Sequence, residues 1–511
     1  MLNITHSSAE DAKRAGMAHY QAGRFPQGLA AFELATRLDP ASAAARHNVG
    51  LGLFSLRRCD ESVWHFERAL AIDSRLALAW NSLGAALLET GQAQAAVRVL
   101  RRGVELHPQE PAMHSFLICA LALAGATRAQ VMAETAAFAG RFRLLPRPAV
   151  PGAVGRPLRV GFVSADFRTH AVAWFFEPLL RELPRLHMRA LCYCHAPAPD
   201  ATTQRLRELT GADAWRDIAA LDDDAAADLI RRDQLDVLVD LMGHTAGNRL
   251  GIFARRPAGV QVSWLGYAGP APLPTIDARL TDALLDPDAP SPADPVAALD
   301  VFASYMPPRT HVETMPPQPA SRPPTLACVS NPLKWSPEFL AACSAILDRL
   351  PAARLLMILP GMDPIAMARI QRQFSPGAAS RIAFVGSMPF EQYLAMHNDV
   401  DILLDTFPIS GHTVTCHALW MGVPVVTRAG QTPWERLSAS VLAGMNKRAW
   451  IAETDGAFVD AAVRLAVGPP EDRRALRAAF LSSPAADAAA LGRSFERVLR
   501  AIVEAIAARQ A

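Results

Sequence analysis

Apolar and small residues recur along the first 142 residues with a helical period, and the pattern as a whole repeats. The triplets Leu38-Asp39-Pro40, Ile72-Asp73-Ser74 and Leu106-His107-Pro108 follow one another at intervals of 34 residues. Gly16, Gly50 and Gly84 share one phase of that interval, Phe32, Phe66 and Leu100 a second, and Ala35, Ala69 and Gly103 a third. A residue without a side chain lets two helices cross closely. The large residue fills the space between them, and Pro or Ser stops the second helix and turns the chain. The spacing predicts three helix pairs in register and a fourth, degraded pair over 109–142, which lacks the closing Pro.

After Pro157 the pattern changes. Leu158–Ser164 is an apolar, β-branched run of the kind a buried parallel strand needs. Helix-like stretches at 174–183 and 225–232 alternate with strand-like runs at 189–193, 237–242 and 260–265. A second alternating series carries strand-like runs at 326–329, 354–358, 381–385, 402–404 and 423–426. Alternation of this kind predicts doubly wound parallel sheets, which bind ligands at the carboxyl ends of their strands. The expected fold is a tetratricopeptide-repeat superhelix (1–143), a Pro-rich linker (144–157) and a Rossmann-like lobe (158–305). A Pro-rich connector (306–324), a second Rossmann-like lobe (325–490) and a C-terminal helix packing back on the lobes (491–511) follow.

Composition narrows the class. The chain has 511 residues, 51% of them hydrophobic and 20% charged, with a formal net charge of +2. That is a folded, multidomain composition with no bulk electrostatic attraction to nucleic acid. The N-terminal stretch has acidic residues and no apolar core, and no run has the roughly 18 apolar residues of a membrane helix. A cytoplasmic location without membrane attachment is the expectation. The seven cysteines include no Cys-x-x-Cys pair. Cys192, Cys194 and His195 read either as a metal site or as buried strand residues. Asp222–Asp224 leads into a helix and reads as its acidic first turn, and no metal-binding Asp-x-Asp motif is expected.

The most informative segment runs from Asp405 to Pro424. A buried strand ends at Asp405, a Pro-Ile-Ser-Gly turn follows, and His412-Thr413-Val414-Thr415 opens a helix through Trp420. Gly411 permits close backbone approach. The unpaired amides of a first helical turn, with the Thr hydroxyls, can hold a phosphate or simply cap the helix.

This stretch resembles the pyrophosphate-binding signature of O-GlcNAc transferase and its plant SPINDLY relatives. Arg159–His170, Gln261–Gly269, Asn331–Pro337 and Gly430–Ser440 resemble further motifs of that family, in family order, over roughly residues 158–446. The resemblance implies a GT-B-type glycosyltransferase. His170 falls at the family's active-site histidine, as a general base or as a group that positions the acceptor hydroxyl. Lys334 falls at the lysine that meets the diphosphate, and a cation there stabilises the departing charge. Asn331 falls where animal enzymes have a glutamine near the phosphate. Leu265 and Gly266 match a loop lining the sugar pocket, or are strand-end packing. Gly411, His412, Thr413 and Thr415 would line the diphosphate.

The sequence departs from the family pattern in three respects. His417 replaces the aspartate that contacts the ribose, and a neutral imidazole can still hydrogen-bond a hydroxyl. Val414 replaces a threonine. Phe390, Tyr393 and Met396 replace a Lys/His/Arg set, with Tyr393 placed to stack on a base or to pack its helix. The implied activity is inverting, metal-independent transfer of a sugar, GlcNAc first, from a nucleoside-diphosphate sugar such as UDP-GlcNAc to protein Ser or Thr. No other cofactor is implied. The partners implied are a protein or peptide acceptor held by the repeats and a second copy of the chain. The alternatives are a fucosyltransferase using GDP-fucose and a non-catalytic repeat scaffold on a degenerate lobe pair.

Overall fold

The chain is described by a computed structural model over residues 8–150, 155–287, 294–316 and 322–510. Parts of the sequence-assigned linker (151–154) and connector (317–321) lie outside the described residues.

The repeats are helix pairs: α1 (Ala9–Gln21), α2 (Phe25–Leu38), α3 (Ala43–Ser55), α4 (Cys59–Ile72), α5 (Ala77–Glu89), α6 (Ala93–Leu106), α7 (Pro111–Leu123) and α8 (Arg128–Ala139). Their 34-residue phase is a packing rule. A Cβ on Gly16 would stand 2.5 Å from the Phe32 ring, on Gly50 2.6 Å from Phe66, and on Gly84 2.5 Å from Leu100. Any larger residue there would wedge the pair apart, and the ring or Leu side chain opposite is fully buried in each case.

A seven-stranded, all-parallel sheet follows, in the order β3-β2-β1-β4-β5-β6-β7. Its strands are β1 (Leu158–Ser164), β2 (Met188–Cys194), β3 (Trp215–Asp217), β4 (Val237–Asp240), β5 (Val260–Ser263), β6 (Ala278–Asp282) and β7 (Val296–Leu299). The helices α9 (Ala171–Glu182), α10 (Ala201–Thr210), α11 (Asp223–Arg232) and α12 (Leu250–Ala254) are its crossovers. Strand β6 escaped the sequence pattern because it is polar, ARLTD. Its buried Arg279 is paired by the carboxylates of Asp286 and Asp294.

The second lobe supplies β8 (Thr325–Cys328), β9 (Arg354–Ile358) and β10 (Ile382–Val385), paired in parallel through β9. It also supplies β11 (Ile402–Leu404), β12 (Val425–Arg428) and β13 (Ile451–Ala452), paired in parallel through β12. Helices α13 (Pro337–Arg349), α14 (Pro364–Gln371) and α15 (Pro376–Ala379) accompany the first set. With the second set run α16 (Phe390–Met396), α17 (Thr413–Trp420), α18 (Leu437–Gly444), α19 (Asp455–Val467), α20 (Arg473–Leu481) and α21 (Ala488–Gln510).

The chain's compact units do not follow the sequence-assigned boundaries. One unit joins residues up to Gly125 with Thr325–Pro389, and the other joins Ala126–Pro324 with Phe390 onward. Specific contacts account for this. In the first unit Arg369 on α14 donates to Asp60 on α4 at 2.8 Å, and Gly91 after α5 lies against the Trp335 carbonyl. In the second unit α8 is held by Arg128, which donates to Asp294 at 2.6 Å and Asp286 at 3.1 Å, and by Phe138 edge-on to His244. The predicted fourth helix pair is therefore divided between the units. Helix α21 packs on the seven-stranded sheet: Phe495 lies 5.0 Å from the Trp264 ring and stacks on Phe162.

Candidate active site

The seven-stranded sheet reverses its strand order between β1 and β4. At such a switch point the two crossovers leave in opposite directions and open a crevice at the carboxyl ends of the strands. The loop after β1 leads to His170. The loop after β4 is pinned by buried Asp240, which accepts the amides of Met242 and Gly243 at 2.9 Å each and is pushed up to about 6 by burial. Beyond neighbouring β5, Leu265 adopts φ +67°, in the left-handed region that non-glycine residues rarely enter. Gly266 follows, and a Cβ on it would stand 2.2 Å from the Leu241 carbonyl oxygen, so only glycine fits this approach.

His170 is the N-cap of α9. Its Nδ1 lies 3.2 Å from Asp166 Oδ2 and 3.4 Å from the Val172 amide nitrogen. The Val172 amide donates to Nδ1, and the Asp166 carboxylate stands beside the same nitrogen as an ion-pair partner for the protonated ring. Burial lowers the pKa of His170, Asp166 raises it in part and Arg168 lowers it, so the ring is neutral near pH 7. Burial raises Asp166, against the pull of His170 and Arg168. His170 lines a cavity of about 420 Å³ with Thr169, Ala173, Trp174, Glu177 and Arg205.

The turn after β11 is built around buried Asp405. Its Oδ1 accepts the Gly411 amide at 2.6 Å and its Oδ2 accepts the Thr427 hydroxyl at 2.7 Å. A Cβ on Gly411 would stand 2.6 Å from Val414 and 2.8 Å from Asp405 Oδ1. The Thr415 hydroxyl is buried and 2.7 Å from that of Ser438, which donates to the Gly411 carbonyl at 2.8 Å. Thr415 thus organises the turn from within, while His412, Thr413 and Val414 are part-exposed. Among the described residues the His412 side chain makes no capping hydrogen bond to α17, which leaves the first turn open to an anion.

Two aromatic contacts join this turn to α9. The His412 ring stacks on Phe175, and the Trp174 ring meets His417 edge-on at 5.6 Å. His417 is 5% exposed and enclosed by Trp174, Tyr305, Phe390 and Tyr393. Its Nδ1 shares a 3.3 Å hydrogen bond with the Tyr393 hydroxyl, and its Nε2 has no partner among the described residues. Burial, with neighbouring His397, brings it down to about 3. Tyr393 packs on Phe390, His397 and His417, the helix-packing alternative of the sequence reading.

The profile of glycosyl transferase family 41 matches residues 144–307 and 325–486. The chain belongs to glycosyl transferase family 41.

Family-41 relatives follow the same lines. The rice (Oryza sativa subsp. japonica) protein named probable UDP-N-acetylglucosamine–peptide N-acetylglucosaminyltransferase SPINDLY is 33% identical over 371 residues, 68% of this chain and 39% of the relative. The Arabidopsis thaliana protein of the same designation called SEC is 27% identical over 66% of this chain and 36% of the relative. The chain thus spans about two fifths of the length of the curated relatives it matches. A solved structure of a mutant Thermobaculum terrenum O-GlcNAc transferase superimposes with TM-score 0.86 at 30% identity. It covers 99% of this chain and 100% of that one.

Two of the expected family-41 site residues lie in the first unit. Asn331 caps the short turn Pro332–Lys334 by accepting the Leu333 amide at 3.1 Å, and the Lys334 amide donates to the Asn331 carbonyl at 2.9 Å. The turn follows β8, so Lys334 also stands at the carboxyl end of a parallel strand. In the second unit His412 meets Phe175 and His417 meets Trp174, both on the helix that His170 caps, and Tyr393 meets His417. Sequence reasoning missed Asp166, four residues before His170, and the aromatic pair Trp174 and Phe175. An acid at i−4 from a candidate base was the available signal for Asp166. The aromatics read as ordinary helix core. Cys192 and Cys194 are buried in β2, Cys192 3.6 Å from the Thr210 hydroxyl, while part-buried His195 follows the strand and its Nε2 bonds the Gly247 carbonyl. Asp222 caps α11 by accepting the Ala225 amide at 2.8 Å.

Proposed function

We propose that this chain is an inverting protein O-glycosyltransferase that moves a sugar, GlcNAc first, from a nucleoside-diphosphate sugar to a Ser or Thr hydroxyl. The observation that carries the reading is the Asp166–His170 pair. It sets an imidazole beside a carboxylate at the edge of a cavity, at the start of a helix whose Phe175 stacks on His412 just before α17. In the reaction the acceptor oxygen forms a bond to the anomeric carbon, and its proton passes to the His170 ring. The bond from that carbon to the diphosphate oxygen breaks, and the electron pair leaves with the diphosphate. The amides at Thr413 and Val414 would meet that charge.

One observation favours a second reading. His417 is sealed among four aromatic rings and Val414 offers no hydroxyl, as in a lobe kept for partner binding alone. Thermal stabilisation by UDP, GDP, UDP-GlcNAc, UDP-glucose and GDP-fucose separates the two, because a ligand that binds only the folded state raises its melting temperature. A shift with uridine nucleotides and a sugar-sized mass gain on an acceptor peptide support the GlcNAc reading. A shift confined to guanosine nucleotides moves the donor to GDP-fucose. No shift at millimolar ligand rejects the transferase.

A further inference from the structure

The cavity beside His170 continues into a second one, of about 520 Å³, lined by Arg181, Ala201, Gln204, Arg205, Glu208, Leu209 and Arg309. Arg205 and Arg309 line both. The part next to His170 is walled mainly by apolar groups, among them Ala173, Trp174, Met306, Pro307 and Pro308. Its far end is cationic. Glu177 is 1% exposed and accepts from Arg181 Nε at 3.1 Å and from Arg205 Nε at 3.0 Å, so one buried carboxylate holds two guanidinium groups at the groove wall. Arg309 is exposed and has no ion-pair partner among the described residues. The acid at the rim, Glu208, is engaged by the Gln204 amide at 2.9 Å. Three arginines against two carboxylates leave the groove net positive, with the positive end pre-positioned by a buried ion.

We infer that this groove reads an acidic side chain of the acceptor polypeptide, close in sequence to the hydroxyl presented to His170. The inference rests on the transferase reading for what lies at the His170 end. The occupant is a peptide because an apolar, proline-rimmed trough beside a cationic end matches an extended chain with one acidic position. A cavity of about 420 Å³ is on the order of 10 Å across, roughly three residues of extended chain. The acidic residue therefore lies within about three residues of the acceptor Ser or Thr.

Two fluorescent peptides test this, each with one Ser, one carrying a run of glutamates beside it and the other glutamines. Binding is read by anisotropy without donor, at low and high salt, with the wild-type chain and with Arg309→Glu. Arg309 is exposed, so the variant folds. The expected result is tighter binding of the glutamate peptide, weakened by salt, with the preference falling about 5-fold or more in Arg309→Glu. Equal binding of the two peptides overturns the inference, as does a preference that survives Arg309→Glu. Displacement of the glutamate peptide by polyuridylate at matched charge also overturns it, because the groove would then hold any polyanion. Adding UDP-GlcNAc or GDP-fucose separates the two readings. If the acidic peptide binds as expected but neither peptide gains a sugar, the groove stands and the transferase reading falls. If both gain sugar at equal rates and bind alike, the transferase stands and the groove falls.

Discussion

His412 lies flat on Phe175, with ring centroids 4.0 Å apart and planes 4° from parallel. One residue precedes α17 and the other lies inside α9, so the stack sets how far the His170 end of α9 stands from the first turn of α17. Phe175→Leu removes the stack and keeps much of the apolar volume. It should cost about 0.5–1.5 kcal/mol beyond the lost area, lower Tm and weaken nucleotide binding. Calorimetry of UDP and GDP binding checks this, and unchanged affinity would detach the stack from the site.

His170→Ala should lower kcat by about 10²–10⁴-fold with the fold intact. The pH profile is more specific. Burial lowers the His170 pKa, so the acid limb of kcat/KM should fall below the ordinary histidine value of about 6.5. The base works deprotonated, so activity is retained above that lowered value and lost as pH falls through it. Asp166 holds the pKa up, so Asp166→Asn should move the limb to still lower pH while reducing kcat. A limb that moves upward would remove Asp166 from the dyad.

Gly411→Ala should disable the turn. The new methyl would meet Val414 and the carboxylate that holds the Gly411 amide. Asp405→Asn should cost about 1–3 kcal/mol, because the Gly411 amide and the Thr427 hydroxyl are buried partners of one carboxylate. Urea denaturation measures both, and wild-type stability in either variant would refute this account of the turn.

Lys334→Ala should abolish most turnover with a modest loss of nucleotide affinity if the ammonium acts on the departing charge. Single-turnover rates beside titrations with the nucleotide separate the two effects. A variant with wild-type turnover takes Lys334 out of the reaction.

His417 makes an acid-stability prediction. Burial, then His397, brings it to about 3, against about 6.5 in an unfolded chain. Its share of stability is therefore complete above pH 6.5 and is lost as pH falls toward 3, by up to about 1.4 kcal/mol per pH unit. His417→Phe should flatten the fall of Tm between pH 6.5 and 4. An unaltered slope would show that His417 is charged in the folded protein.

The repeat array was legible because its rule is local: a glycine and its large partner sit sixteen residues apart within one helix pair. The strands β1, β2, β4 and β5 were legible as apolar runs. Strand β6 was not, since the partners of Arg279 arrive later in the chain, and three-residue β3 is too short to show a period. At the candidate site, the placement of Gly411 and His412 before a helix start could be read directly. That the Thr415 hydroxyl turns inward to Ser438, and that His417 is enclosed by Trp174, Tyr305 and Phe390, depends on residues from distant segments. No one-dimensional pattern encodes that meeting.

The first compact unit is assembled from two stretches separated by roughly two hundred residues. On the ribosome, at about 5–20 residues per second, helices α1 to α7 emerge ~10–40 s before β8 begins to appear. Throughout that interval Asp60 waits for Arg369, and the face of the array that α14 and the turn after β8 will meet stays in water. Newly made repeats therefore depend on their own glycine–aromatic packing to persist, and a weakened pair such as Gly50→Val should show first as poor yield of nascent chain rather than as lost catalysis.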